Sequence, residues 1–342
     1  MRNARRTKRI CAALHAGTAL ALLASHGAAA APAVAARTAG AAAPLQLIVL
    51  GSGGPAALGR ASSSYLVLLD GAPRIVVDTG PGSFARLGEA HVSLEALDIV
   101  LLTHLHVDHA AELPGFVKAR AVSATQPIRF DVFGPAGRAA HEGSAAFPST
   151  SRFIELMFGA DGAFAYLKDF SAPVSFKVTD LLDRGSDSHD PRAILGAPPL
   201  TISAIGGHHG DAPAIIYRID YRGCSVAFSG DIDAHGLAAL ERIAQGVDLL
   251  VFHAVVLDPP GSPQILYTLH TPPAAIGALA GRARIGALLL SHLSPAVDAA
   301  RAQVSASIAR HYQGSVKFAA DGMRVAVAAA RTQGASAAET EN

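Results

Sequence analysis

The sequence predicts an α/β fold whose strands deliver histidines and aspartates to a common place. Two observations carry this. Apolar runs of strand length, bounded by Gly, Pro, Asp and Ser, alternate in the second half of the chain with stretches of helical period. Those runs end repeatedly in His or Asp, at positions 78, 104, 209, 231, 253 and 292. The densest case is Thr103-His104-Leu105-His106-Val107-Asp108-His109, entered directly from the apolar run Leu97 to Leu102. On an extended backbone, residues i and i+2 point to the same side, so His104 and His106 can grip one ion. Past the following turn, Asp108 and His109 can face a second. Neutral imidazole and carboxylate suit Zn²⁺ and similar divalent metals. Imidazoles this close repel one another when protonated and gain little unless a metal holds them.

The chain of 342 residues begins with a basic head, Arg2, Arg5, Arg6, Lys8 and Arg9. A mostly apolar stretch, Ile10 to Ala24, and an Ala-rich segment to about Ala36 follow. This is the plan of a secretory signal peptide over 1–36, and the apolar run is short for a membrane span, which needs about 20 residues. The expected location is periplasmic or secreted, with no stable membrane anchor. Without that head, the 28 Lys and Arg fall to 23 against 27 Asp and Glu, a net charge near −4. A nucleic-acid surface is usually basic, and this chain shows no such excess. Cys224 is then the sole thiol, so no internal disulfide forms.

The folded domain is expected over 44–328, with a polar, disordered tail at 329–342. Leu45 to Leu50 is a strand broken by Gly51-Ser52-Gly53-Gly54-Pro55, which lacks the Lys-Ser/Thr of a phosphate loop and reads as a tight turn near the metal site. Ser62 to Leu69 and Arg74 to Val77 form a hairpin through Asp70-Gly71, and Asp78 is either a turn residue or a partner that orients a ligand. Arg129 to Phe133 is a strand. From Ala136 to about Pro199 the pattern is irregular, and its Phe-rich part either packs on the core or walls the site. Leu200 to Ile205 delivers His208 and His209, with the spacing alone leaving the ligand open. A hairpin, Ala214 to Asp220 and Ser225 to Ser229, delivers Asp231. Asp248 to Phe252 delivers His253, and Ala287 to Leu290 delivers Ser291-His292. Helices are expected at Leu237 to Ala244, Pro272 to Gly281 and Val297 to His311, with a final strand at Ser315 to Phe318.

With these motifs in order, the sequence resembles the metallo-β-lactamase superfamily. His104-Leu-His106-Val-Asp108-His109 matches its H-x-H-x-D-H hallmark, and His209, Asp231 and His292 match its later ligands. Within it, Leu50-Gly-Ser-Gly-Gly-Pro, Arg60-Ala-Ser-Ser-Ser-Tyr65 and His209-Gly-Asp-Ala-Pro are similar to the ribonuclease Z and arylsulfatase-like branch. His270-Thr271 resembles that branch's H-S-T motif. Two departures stand out: His253-Ala254 replaces His-Glu, and only 22 positions separate His209 from Asp231, where ribonuclease Z usually carries an RNA-gripping arm.

The resemblance implies a four-layer αβ/βα sandwich with two mixed sheets. It also implies two Zn²⁺ ions, other divalent transition metals being allowed. His104, His106 and His209 would hold one ion, Asp108, His109 and His292 the other, with Asp231 bridging. Asp108 and His270 are the candidate catalytic residues, His270 as proton donor or, alternatively, a helix cap. Water acidified by the ions would attack an ester. The two departures, the acidic charge and the leader set the expected substrate as a small sulfate or phosphate ester, with no nucleic acid. A lactone or β-lactam hydrolase and a ribonuclease Z-like phosphodiesterase are the alternatives, and a homodimer is allowed.

Overall fold

The structure is a computed structural model that describes residues 43–56, 58–181 and 190–329. The expected leader, 1–36, lies outside the described residues, and so does the expected tail at 329–342 apart from Ala329. The first sheet begins with β1 (Leu45–Gly51), β2 (Ser64–Leu69), β3 (Ala72–Val77), β4 (Ile99–Leu101), β5 (Ile128–Pro135) and β6 (Val174–Leu181). The second holds β7 (Arg192–Ala197), β8 (Leu200–Gly206), β9 (Ile215–Tyr221), β10 (Cys224–Phe228), β11 (Leu249–His253), β12 (Ala287–Ser291) and β13 (Ser315–Phe318). The chain then returns to the first sheet as β14 (Arg324–Val327), antiparallel to β1. Each sheet has seven strands, in the orders 14-1-2-3-4-5-6 and 13-12-11-10-9-8-7. Both are mixed: hairpins on one side, and parallel pairs β3/β4/β5/β6 and β10/β11/β12/β13 on the other.

Alternation decides which face each side chain takes. In β1, Leu45, Leu47 and Val49 enter the core between the sheets, where they meet Ile202, Ile215 and Val226. Ile48 and Leu50 point the other way, under a helical layer that includes Phe116, Val117 and Ile154. On the far side, helices Leu237–Ile243, Pro273–Arg282 and Arg301–Ala309 press Leu240, Ile276, Leu279 and Ile308 against β10, β11 and β12. The result is helix, sheet, sheet, helix, the four-layer sandwich expected. Truncating a fully buried side chain such as Leu47 or Ile202 to Ala would cost about 2–5 kcal/mol, because the cavity closes only in part. Two hairpin turns are of the type that needs two left-handed residues. Asp70-Gly71 has φ 49° and 84°, and Arg222-Gly223 has 47° and 77°.

Three expectations are corrected. Ser315–Phe318 is not the last strand, because β14 follows and completes the first sheet. The helix read over 297–311 is two, Pro295–Ala299 and Arg301–Ala309, interrupted at Ala300 where φ is −110° and ψ 26°. The irregular stretch 136–199 supplies helix Thr150–Phe158 and the edge strands β6 and β7. Its Phe-rich part packs on the core: Phe153, Met157, Phe158, Phe164 and Phe170 sit beneath the first sheet. Among the described residues, no helix is long and apolar enough to cross a membrane.

Candidate metal centre

The site lies at one edge of the sandwich, where strands from both sheets end together. β4 runs into Thr103 and His104, and His106 then opens the short helix Val107–Ala110, which carries Asp108 and His109. β8 leads to His208 and His209, β10 to Asp231, β11 ends on His253, and β12 leads to His292. Rigid strand ends hold loop ligands better than loops alone. Two glycines allow the closeness. A Cβ on Gly230 (φ 56°) would lie 2.8 Å from Thr103 Cβ, so the ends of the two sheets meet only without a side chain there. A Cβ on Gly54 would lie 2.4 Å from the His292 ring, so the Gly-rich loop after β1 closes over the site as a tight turn.

The seven sequence-predicted ligands converge. His104 Nε2 is 3.1 Å from His106 Nδ1, and the His209 ring stands 5.0 and 5.1 Å from theirs. Opposite, Asp108 Oδ2 lies 3.2 Å from His292 Nε2 and 3.6 Å from His109 Nε2. Asp231 Oδ2 joins the two groups. It lies 3.5 Å from His292 Nε2, 3.6 Å from His109 Nε2 and 3.7 Å from His209 Nε2. These gaps are too long for hydrogen bonds. Two ligands each about 2.0–2.1 Å from a tetrahedral ion sit about 3.4 Å apart, so the spacing suits a shared divalent cation. His109 Nε2 is buried and has no hydrogen-bond partner, which an ion would satisfy. The donor set and this orphaned nitrogen fit a zinc-like metal.

Two of the imidazoles, those of His109 and His209, are oriented from behind. His109 Nδ1 donates to Asp78 Oδ2 at 2.8 Å, so Asp78 is an orienting partner rather than a plain turn residue. His209 Nδ1 donates to the Leu269 carbonyl at 2.8 Å, and His209 is 3 % exposed. His208 turns away: its Nδ1 pairs with Asp233 Oδ2 at 2.7 Å, and its side chain is 37 % exposed. His270 is also at the site, its Nδ1 without a partner and 4.0 Å from Asp231 Oδ2. His253, which the sequence marked only as a strand end, stands beside Asp231 and His292.

Burial sets the charges. It pushes His104 well below the ordinary imidazole range, with the neighbouring His109 adding to it, and pushes His106 down as well. It likewise brings His253 and His270 to about 4. His109 goes the other way, because Asp78 and Asp231 outweigh its burial. Burial alone would raise Asp108, but the His292 hydrogen bond and the nearby imidazoles hold it at about 2. Asp231 is held well below the carboxylate range by His292 and His109 against its burial.

A cavity of about 780 Å³ opens over this cluster. Its walls come from Pro55 and Leu58 of the Gly-rich loop, from Leu266 and Leu269, and from Leu293. Arg60 and Arg301 also line it. The Phe-rich segment does not wall it, although Phe147 reaches within 6.1 Å of the His106 ring.

A four-layer sandwich with a His/Asp cluster at the strand ends is the architecture of metal-dependent hydrolases of one superfamily. The family described as the metallo-beta-lactamase superfamily matches residues 57–266. The chain belongs to it, and is a metal-dependent hydrolase acting on ester bonds. A relative named Ribonuclease Z, from Mycobacterium avium (strain 104), is 31 % identical over 292 residues, covering 83 % of this chain and 98 % of the relative. Another of that name, from Mycobacterium marinum, is 29 % identical over 297 residues, covering 83 % and 99 %. The human tRNase Z short form has the same fold, with a TM-score of 0.62, 19 % identity, and coverage of 83 % of this chain and 99 % of that one.

These relatives correct the expected partners. A small ester substrate with no nucleic acid does not agree with relatives named for cleaving RNA along most of the chain. The argument from net charge failed because a total does not report local charge: Arg60 and Arg301 both line the cavity, held there by Asp298. The short interval before Asp231 is filled by the β9–β10 hairpin alone, yet the relatives of that name match across it.

Proposed function

We propose that this protein is a divalent-metal-dependent phosphodiesterase that hydrolyses RNA, using two zinc ions. The observation that carries the reading is the position of Asp231 Oδ2, between three imidazole nitrogens at 3.5–3.7 Å and under an open cavity. The names of the relatives direct it to phosphodiesters rather than sulfate esters. His104, His106 and His209 would hold one ion and Asp108, His109 and His292 the other, with Asp231 shared between them. When bound, the ions acidify water to make a nucleophile at neutral pH and neutralise charge on the attacked phosphate.

The chain's own residues do the rest. Asp78 and the Leu269 carbonyl keep Nδ1 of His109 and His209 occupied, so Nε2 of each faces the ions. The leaving oxygen departs from phosphorus as an alkoxide and needs a proton. His270 Nδ1, buried and unpartnered beside the bridging carboxylate, is placed to supply it. Arg60, anchored to Asp298 at 2.9 Å, and Arg301 offer cationic contacts for flanking phosphates.

The test uses zinc-loaded protein on three substrates: bis(p-nitrophenyl) phosphate, an aryl sulfate, and an RNA with a 3′ trailer such as a precursor tRNA. Chelator-sensitive cleavage of the diester and of the RNA is expected. Zinc-replete protein that cleaves only the sulfate, or nothing, would overturn the reading.

A further inference from the structure

Asp231 has two oxygens, and the structure treats them differently. Oδ2 faces three imidazoles across gaps of 3.5, 3.6 and 3.7 Å. Oδ1 makes a true hydrogen bond, 2.8 Å from His253 Nδ1. We propose that His253 is a positioning residue: it takes up Oδ1 of Asp231 and leaves Oδ2 as the single carboxylate atom shared between the two histidine clusters. The inference rests on the ligand reading given above.

By position alone His253 could be taken for a further ligand, since its nitrogen lies close to those of His109 and His292. Its hydrogen bonds exclude this. A carboxylate only accepts, so the proton on Nδ1 is committed to Asp231. The other nitrogen, Nε2, lies 3.1 Å from Tyr65 Oη and 3.3 Å from Ser63 Oγ. Its lone pair faces these two hydroxyls, and Ser63 is the one with a proton free to occupy it. Tyr65 in turn donates to Ser291 Oγ at 2.7 Å, next to His292. The His253 backbone N–H donates to Ser229 Oγ at 3.1 Å, two residues before Asp231. The ring is therefore fixed at both edges, and the residue at its backbone, by buried groups at the start of β2 and just past the end of β10. Ser63, Tyr65, Ser229 and Ser291 are not among the residues that line the cavity over Asp231.

Without His253, Oδ1 is free to turn toward an ion, and the carboxylate can chelate one cation instead of being shared. The weaker of two sites would then lose its bridging ligand. The test reads metal binding without substrate, so its failure is distinct from failure of the RNA assignment. Zinc affinity is measured by chelator competition, and the visible spectrum of the Co²⁺-loaded protein reports coordination. His253→Phe should weaken the second zinc equivalent by about 10–100-fold and alter the Co²⁺ bands, the usual scale for losing a group that orients a ligand. His253→Asn keeps an N–H near the position of Nδ1 and should stay near wild type in both readouts. Equal losses in the two variants, or no loss in His253→Phe, would overturn the proposal. Should His253→Phe fail to fold, His253→Asn decides: retained affinity supports the role, and lost affinity overturns it. Wild-type protein that binds fewer than two zinc ions would overturn the ligand assignment itself.

Discussion

Asp78 Oδ2 accepts hydrogen bonds from His109 Nδ1 and from Thr103 Oγ1, each at 2.8 Å, while Asp78 Oδ1 accepts the Thr103 backbone N–H at 2.8 Å. One buried carboxylate at the end of β3 thus clamps both ends of the histidine motif that follows β4. Its backbone sits at φ 55°, a conformation that costs a non-glycine residue about 1–3 kcal/mol and persists where the surroundings demand it. Asp78→Ala should lower zinc affinity by about 10–100-fold. It should also leave two or three buried donors unpaired, each costing about 1–3 kcal/mol. Chelator competition and urea unfolding measure the two effects, and unchanged zinc affinity would remove Asp78 from the centre.

The neighbouring histidines 208 and 209 should separate cleanly. His209 faces Asp231 from within the cluster, whereas His208 is bonded to Asp233 and partly in solvent. His209→Ala is expected to reduce bound zinc and lower turnover by at least about 100-fold, in line with loss of a ligand. His208→Ala should leave zinc content near wild type. Elemental analysis of both proteins decides it, and the reverse pattern would show that the ligand is His208.

Much of this candidate site was legible because its clustered His and Asp residues are sequence neighbours or mark the ends of apolar runs. His104, His106, Asp108 and His109 announce themselves within six positions. Asp78, Asp231 and His292 follow strands that are buried on both faces and so read as unbroken apolar runs. What was not legible depends on distant partners. His253 gains its role from Asp231, 22 residues away, and from Tyr65, 188 residues away. The cavity wall comes from Leu58, Leu266 and Leu293, whose local sequences show no common pattern. The Phe-rich segment left two readings open, core or wall, because apolar spacing marks a buried face without telling what it meets; the structure takes the first.

Acid should destabilise the zinc-stripped protein at a pH set by histidines, not carboxylates. His253 and His270 are held at about 4 by burial, and His104 and His106 are pushed down too. In the unfolded chain these groups titrate near 6.5. Below that pH the unfolded state takes protons that the folded state refuses until about 4, so stability is lost as pH falls from about 6.5 to about 4. Each unit of difference is worth about 1.4 kcal/mol. His109, pushed up, has the opposite sign: its contribution is complete below about 6.5 and fades as pH rises through its folded value. Thermal melts of chelator-treated protein at pH 7.0, about 5.5 and about 4.5 should therefore show a falling Tm. A flat or rising Tm would contradict the neutral state assigned to these imidazoles.

His270 should matter most where the leaving oxygen is poor. It is 7 % exposed and lines the cavity, and its Nδ1 has no partner. Burial brings the ring down to about 4 despite the nearby Asp231 carboxylate, so it is uncharged at neutral pH. In the proposed role, a neutral ring would give up a proton only as negative charge builds on the departing oxygen. A ribose oxygen, whose alcohol is a weak acid, needs that proton; a nitrophenolate does not. His270→Ala is expected to reduce kcat on RNA by about 10²–10⁴-fold, the usual share of a general acid, and on bis(p-nitrophenyl) phosphate much less. Zinc content should stay unchanged. Equal losses on both substrates would take the proton-donor role from His270. A fall in bound zinc would instead place it among the ligands, beside His209 and Asp231, whose donor atoms lie within 4.8 Å of its own.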